Sequence, residues 1–257
     1  MRILLTNDDG YHAPGLAVLE RIARTLSDDI WIVAPAEEQS GTGRSLTITR
    51  PVRVRRFDHR RFAVTGTPTD AVMMALASIM DHAPDLILSG VNRGANLAED
   101  VSYSGTVSAA MEGAFAGIRS VAMSQVYAVA EDEEAPGDAV SFAAAEAWGE
   151  RVLRPLIAAD WAPRTTVNVN FPPLAPDRVR GMRVVRQGLR DHGRVKVHDR
   201  TDPRGFDYHW IGLQRVPHDP EPGTDLHAIG EGYVSVTPLH LDLTHEPSLA
   251  AFGRALG

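Results

Sequence analysis

Two adjacent carboxylates, Asp8 and Asp9, follow the apolar run Ile3-Leu4-Leu5 and are closed by Gly10. Like charges side by side repel unless a cation lies near them or an apolar pocket keeps one protonated. Two more polar loops each follow an apolar run: Ser40-Gly41-Thr42-Gly43-Arg44-Ser45, and Ser89-Gly90-Val91-Asn92-Arg93-Gly94-Ala95-Asn96. Their carboxylates, hydroxyls and amides are hard oxygen donors, which suit a divalent cation such as Mg²⁺ or Mn²⁺ rather than zinc or copper. The chain has no cysteine, which excludes thiolate-held zinc, iron–sulfur clusters, disulfides and thiol nucleophiles. At this level Ser40 and Ser45 are equal candidates as ligands, and so are Asn92 and Asn96. The plainer alternative is that Asp8 and Asp9 only cap the next helix and shape the turn before Gly10.

A second chemistry lies in the backbone. Amides around Gly41 and Gly43, and at Ser104-Gly105-Thr106 where a helix begins, would form anion pockets, because unpaired N–H groups and the helix dipole favour a phosphate there. Without a ligand the Ser104 turn is simply a helix cap. Other phosphate-handling classes fail. Gly41-x-Gly43 lacks the third glycine of a dinucleotide fingerprint and follows the second strand, not the first. The P-loop pattern is missing, and Lys196 is the only lysine. With no GxSxG elbow a serine nucleophile is disfavoured. A covalent aspartyl-phosphate mechanism needs two aspartates one residue apart, whereas Asp8 and Asp9 are adjacent.

The charge balance points the same way. Acidic residues number 33 against 26 basic ones, a net charge of -7, whereas nucleic-acid-binding domains usually run strongly basic. A small-molecule partner is expected, without membrane or stable nucleic-acid complex. The arginines at 50, 53, 55, 56, 60 and 61 read as the solvated face of a hairpin, or more sharply as an attraction for polyphosphate or oligonucleotide. His12 reads as a structural residue beside Pro14-Gly15. The run Glu131-Asp132-Glu133-Glu134 reads as a solvated loop, with a docking patch as the sharper alternative.

The elements that must position these groups alternate. Ile3-Leu4-Leu5 reads as a buried parallel strand. Leu16, Leu19, Ile22, Ala23 and Leu26 recur at helical spacing, and Ile30 to Ala34 is a second strand, which completes a β-α-β unit. Leu46 to Phe57 alternates as extended strands hinged near Pro51, and Phe62-Ala63-Val64 follows. Thr67-Pro68-Thr69-Asp70 has the chemistry of a helix start, opening a helix through Met80. Asp85 to Ser89 is a strand, 106–115 a small-residue helix, Ser120 to Ser124 a strand, 139–158 a long helix and 166–171 a strand. The spacing predicts an α/β fold with a mostly parallel sheet covered on both faces. Residues 172–223, rich in Pro, Gly, Asp and Arg, read as an irregular β-rich extension with extended candidates at 182–185 and 194–197. It could serve as a dimerisation or lid element. Order returns with Tyr233 to Pro238 and a short helix near 245–256. In open α/β sheets ligands sit at the carboxyl ends of the strands, so the three polar loops should meet in one crevice. No apolar stretch approaches the roughly 20 residues needed to span a bilayer. The N-terminus runs straight into a strand rather than a leader, so a cytoplasmic protein is expected.

Several motifs in one order carry a resemblance: MRILLTNDDGYHAPGL, VAPAEEQSGTGRSLT, GTPTD at 66–70, DLILSGVNRGAN, YSGTVSAAMEG at 103–113 and EGYVSVTPLH near the end. Together they resemble the SurE family of metal-dependent 5'/3'-nucleotidases over nearly the whole length. The resemblance implies a three-layer Rossmann-like core in a single unit spanning 1–257. It also implies one divalent cation per subunit held by Asp8, Asp9, Ser40 and Asn92, with Asp8 or Asp9 as proton acceptor. The phosphate would lie against Gly41, Gly43, Asn96, Ser104, Gly105 and Thr106. The implied substrate is a nucleoside monophosphate, and the implied assembly is a homodimer or homotetramer joined through the C-terminal arm. Gln39 and Thr42 depart from the family pattern in the second motif.

Overall fold

The computed structural model describes residues 1–127, 141–190, 195–213 and 219–257. The apolar runs become the buried middle of a sheet: β1 (Arg2–Thr6), β2 (Asp29–Pro35), β3 (Val54–Arg56), β4 (Arg61–Val64), β5 (Leu86–Arg93), β6 (Arg119–Gln125), β7 (Thr165–Phe171), β8 (Met182–Val184) and, near the end of the chain, β11 (Val234–His240). Their order is β3-β4-β2-β1-β5-β6-β7-β11-β8. The pairs β4–β2, β2–β1, β1–β5, β5–β6, β6–β7 and β11–β8 are parallel, while β3–β4 and β11–β7 are antiparallel.

Side chains alternate across this sheet and define its two cores. Ile3, Leu5, Ile32, Leu88, Met123 and Val169 pack under α1 (Pro14–Arg24) and α4 (Ala143–Ala158). Leu4, Val33, Val64 and Ile87 pack on the opposite face beneath α2 (Pro68–Met74), and α3 (Gly105–Phe115) covers the same face. Each fully buried Leu or Ile of this kind contributes about 1.5–3 kcal/mol, so both faces of β1 and β5 must stay covered. The result is the three-layer, mostly parallel architecture expected from the alternation of strand and helix. The chain runs from β1 outward through β2 to β4, then returns to β5 on the other side of β1. The point of reversal therefore lies between β1 and β5, where such sheets open a crevice at their carboxyl ends.

Several local expectations are corrected. The segment 46–53 is not a hairpin hinged at Pro51. Only Val54–Arg56 forms a strand, and it turns back on Arg61–Val64 through Asp58-His59-Arg60. The alternation before Pro51 has no neighbour to pair with on that side. The helix opened by Thr67 widens over Ala75–Ile79, where the Met80 amide reaches back five residues to the Ala75 carbonyl at 2.9 Å. Within the extension, Met182–Val184 is no separate element. It joins the main sheet beside β11, because its backbone supplies the edge that β11 would otherwise leave open. The other extended candidate belongs to a ribbon of β9 (Val195–Thr201) and β10 (Asp207–Leu213). The acidic run Glu131-Asp132-Glu133-Glu134 lies outside the described residues, as do 139 and 140 at the start of the long helix and Arg194. Two further helices are α5 (Asp225–Gly230) and α6 (Glu246–Leu256). Among the described residues no helix is long and apolar enough to cross a membrane.

Candidate functional site

The three polar loops meet where the topology reverses. The Asp8 backbone carbonyl accepts the Gln39 amide at 2.7 Å, which brings the residue before Ser40 onto the first loop. The Asp9 carboxylate accepts the Arg93 amide at 3.0 Å, which ties it to the residue after Asn92. The Asp8 carboxylate accepts the Thr106 hydroxyl at the start of α3. The Gly43 amide donates to the Tyr103 carbonyl at 3.2 Å, closing the circle between the second loop and the α3 start. Asp8, Asp9, Ser40, Gly41 and Gly43 on loops, Asn92 near the end of β5, and Ser104, Gly105 and Thr106 at the start of α3 therefore belong to connected segments at the carboxyl ends of the strands.

Glycines permit the close approaches. Gly41 and Gly43 adopt the left-handed region, with φ of 76° and 54°, and so turn the loop tightly. A Cβ at Gly105 would come within 2.8 Å of the Asp8 Cβ, so the first turn of α3 rests directly on that carboxylate. Ser104 caps α3 by accepting the Val107 amide at 3.0 Å, which commits its hydroxyl to the helix.

Burial sets the electrostatics. Asp8 is 4% exposed. Its carboxyl is pushed up to about 6, chiefly by burial and also by the Asp9 charge, against the Thr106 hydroxyl and amide that pull it down. Burial also raises Asp9, opposed by the amide and charge of Arg93 and reinforced by Glu38. Both shifts come mainly from desolvation, and at Asp9 the Arg93 charge offsets part of it. The donors present fit a hard cation: two carboxylates, the Ser40 hydroxyl and the Asn92 side-chain carbonyl, all oxygen. Ser40 Oγ donates to Glu38 at 2.8 Å, and Asn92 Nδ2 donates to the Gly94 carbonyl at 3.1 Å, which leaves the Asn92 oxygen free of that bond. Among the described residues no cluster of three acidic, histidine or cysteine side chains is placed to hold a metal ion, so the hydroxyl and amide oxygens would have to complete the set.

Asn96 sits elsewhere. Its side chain donates to Ser124 at 2.8 Å, its amide to Asn170 at 2.9 Å, and its carbonyl accepts the Asn168 and Asn170 amides at 2.7 and 3.1 Å. It anchors the loop to β6 and β7 from within. His12 is exposed and edge-on to Tyr11 and Phe57. Arg60 and Arg61 pair with Asp29 and Glu20, Arg55 lies over Phe57, and Arg56 donates to the Asp58 carbonyl and lies over Phe62, so four of the six arginines in the row already have partners. Three contributors escaped sequence reasoning: the Arg93 amide on Asp9, Glu38 on Ser40, and the packing of Gly15. A Cβ at Gly15 would lie 2.0 Å from the Val91 carbonyl beside Asn92. Only the Pro14-Gly15 dipeptide hinted at the last.

The fold and this crevice define an α/β protein whose acidic, all-oxygen site lies at the carboxyl ends of a parallel sheet, between strands on either side of a topological switch. The family described as survival protein SurE matches residues 3–194, and the chain belongs to that family. A protein named 5'-nucleotidase SurE from Rhizorhabdus wittichii is 68% identical over 252 residues, covering 98% of both chains. One of the same name from Erythrobacter litoralis is 58% identical over 254 residues, again covering 98% of each. The crystal structure of the SurE protein from Aquifex aeolicus superposes with a TM-score of 0.82 at 37% identity, over all of both chains.

Proposed function

We propose that this protein is a divalent-cation-dependent phosphomonoesterase that hydrolyses nucleoside 5'- and 3'-monophosphates to nucleoside and inorganic phosphate, with short polyphosphate as a further substrate class. The observation that carries this reading is the pairing of buried Asp8 with half-buried Asp9 at the topological switch, where backbone hydrogen bonds tie them to the segments that carry Ser40 and Asn92. The relatives named 5'-nucleotidase support the substrate class.

Asp8, Asp9, Ser40 and Asn92 would hold one Mg²⁺ or Mn²⁺ per subunit. Bound there, such a cation supplies positive charge against the phosphoryl oxygens and lowers the pKa of a neighbouring water. The residues do the rest. Asp8 is fixed by the Thr106 hydroxyl and Asp9 by the Arg93 amide, and one of them accepts the proton of the attacking water. The Gly43 amide is spent on the Tyr103 carbonyl, the Thr42 amide on the Gln39 carbonyl and the Thr106 amide on Asp8, so the amides of Gly41, Ser104 and Gly105 are the ones that would face the charge growing on the transferred phosphoryl. Asn96 serves the phosphate side by holding its loop. Assembly into a homodimer or homotetramer through the C-terminal arm fits the exposed apolar side chains of that arm, among them Trp210 and Ile211.

The test is phosphate release from a panel of nucleoside monophosphates with Mn²⁺, with Mg²⁺ and with chelator, for wild type beside Asp9→Asn. Release that needs the cation and falls by about 10³-fold in the variant is expected. Nucleotide binding with no release under either ion would turn the reading from an enzyme to a nucleotide sensor.

A further inference from the structure

The segment carrying Ser40 is held at three points. Its start is fixed by the Gln39 amide on the Asp8 carbonyl, and its middle by the Gly43 amide on the Tyr103 carbonyl. Its far end meets the start of α2. There the Thr67 hydroxyl donates to the Ser45 carbonyl at 2.7 Å, and the Thr47 amide donates to Asp70 Oδ1 at 3.0 Å. Between these anchors the loop is braced by its own hydrogen bonds, Thr42 donating to the Gln39 carbonyl and Ser45 to the Thr42 carbonyl, so the position of this locally braced segment is set at its ends. Ser40 and Gly41 are exposed, and a Cβ at Gly41 would meet nothing within 4 Å.

Asp70 exceeds what a helix cap requires. In a capping box the acidic side chain reaches back to the amide of the capping residue with one oxygen. Here Oδ2 does so, accepting the Thr67 amide at 2.8 Å, while the Asp70 amide donates to the Thr67 hydroxyl at 3.1 Å. The other oxygen is spent on Thr47, 23 residues away in the sequence. The carboxylate is 6% exposed, and a Cβ at Gly66 would lie 2.6 Å from its Oδ2, so the backbone is brought against it. Burial alone would raise the Asp70 carboxyl, but the bonds from Thr47 and Thr67 outweigh it and hold the group below its ordinary range. Asp70 thus stays ionised where it clamps the loop.

We infer that Asp70 is a positioning residue for Ser40: by fixing the outgoing limb of the loop at Thr47, it sets where the Ser40 hydroxyl stands relative to Asp8 and Asp9. This rests on the reading of Ser40 as a ligand of the divalent cation. Groups that orient a ligand from behind typically change metal affinity by 10- to 100-fold when removed.

The experiment is titration of the metal-free protein with Mn²⁺, followed by the spin resonance of the free ion, for wild type, Ser40→Ala, Asp70→Asn and Thr47→Pro. Amide hydrogen exchange over 39–47 and turnover at saturating Mn²⁺ accompany it. Asp70→Asn is expected to bind Mn²⁺ about tenfold more weakly, to exchange the 43–47 amides faster, and to recover its turnover once Mn²⁺ saturates. Thr47→Pro deletes the donor and leaves the capping box of α2 intact. It should weaken Mn²⁺ binding in the same direction, and it decides the question if Asp70→Asn does not fold. Weakened binding in Ser40→Ala with unchanged binding in Asp70→Asn and Thr47→Pro would overturn the positioning role alone. Unchanged binding in Ser40→Ala would overturn the ligand reading and the positioning role that rests on it.

Discussion

Asp8, Thr106 and Asn96 are polar side chains shut away from water, whereas Trp210 at 66%, Phe252 at 65% and Leu256 at 89% exposure are apolar side chains open to it. Both regions invert the ordinary pattern of burial, and they do so for different reasons. In the strand-end crevice, polar burial is sustained because donors and acceptors from three loops converge on the same atoms, the Thr106 hydroxyl on Asp8 and the Arg93 amide on Asp9 among them. In the β9–β10 ribbon and α6, apolar exposure goes with an arrangement in which, among the described residues, the ribbon makes its own two-stranded sheet and α6 has no buried residue. The first inversion is satisfied by partners within the chain, whereas the second leaves apolar side chains open to water. One polypeptide can engage Asp8, Thr106 and Asn96 at the strand ends and still leave apolar side chains uncovered elsewhere.

The sharpest way to break this contrast is through Asp8. Its folded carboxyl sits near 6, above the ordinary 3.8, so the folded state holds the proton more tightly than the unfolded chain does. That group therefore weakens the metal-free fold progressively as pH rises from about 4 through about 6, and fully above it. Asn at this position keeps a carbonyl for the Thr106 hydroxyl and cannot ionise. In chelator at pH 8, Asp8→Asn should be more stable than wild type by on the order of 3 kcal/mol, and the advantage should vanish in acid. Thermal unfolding across pH measures this, and equal stability at pH 8 would mean that the crevice solvates Asp8 as well as water does.

Gly15→Ala probes the same region by packing. The new methyl must displace the Val91 carbonyl, now 2.0 Å from where it would stand, at a cost of about 1–3 kcal/mol in denaturant unfolding. A neutral result would show that the end of β5 yields freely and that Asn92 is not held by α1. At the other extreme, Trp210→Ser with Phe252→Ser should leave the unfolding free energy of dissociated protein within about 0.5 kcal/mol of wild type. The same double variant should lower the sedimenting mass. A large loss of stability at low concentration would mean that these side chains serve the subunit's own core.

The legible part of the molecule was the part with strong local signals. Ile3-Leu4-Leu5 followed by Asp8-Asp9-Gly10 announces a buried strand and a polar loop at its carboxyl end, and the same grammar recurs at Ser40 and at Asn92. Family resemblance, rather than spacing, separated Ser40 from Ser45. Illegible were contacts between segments with no local signature. Thr67-Pro68-Thr69-Asp70 read as a helix start and nothing more, because the second oxygen of Asp70 finds its donor only when the 45–47 limb folds back onto it. Met182–Val184 looked like part of a loose extension, since its partner β11 begins 50 residues later. By spacing alone Asn96 is as good a ligand as Asn92; the resemblance moves it to the phosphate side, and only the structure shows its groups engaged by Ser124, Asn168 and Asn170 on β6 and β7.

The sequence by itself determined which residue types were available and the order of strands and helices, because side-chain polarity with a period of 2 or 3.6 is a property of neighbouring residues. It also excluded thiol chemistry and P-loop chemistry outright, since those need residues this chain lacks in the required pattern. Tertiary structure decided which oxygens share the crevice, which carboxylate is buried deeply enough to be pushed up to about 6, and which carboxylate turns from capping to clamping. Those outcomes depend on desolvation and on hydrogen bonds between segments tens of residues apart, quantities that exist only once the strands have found their register.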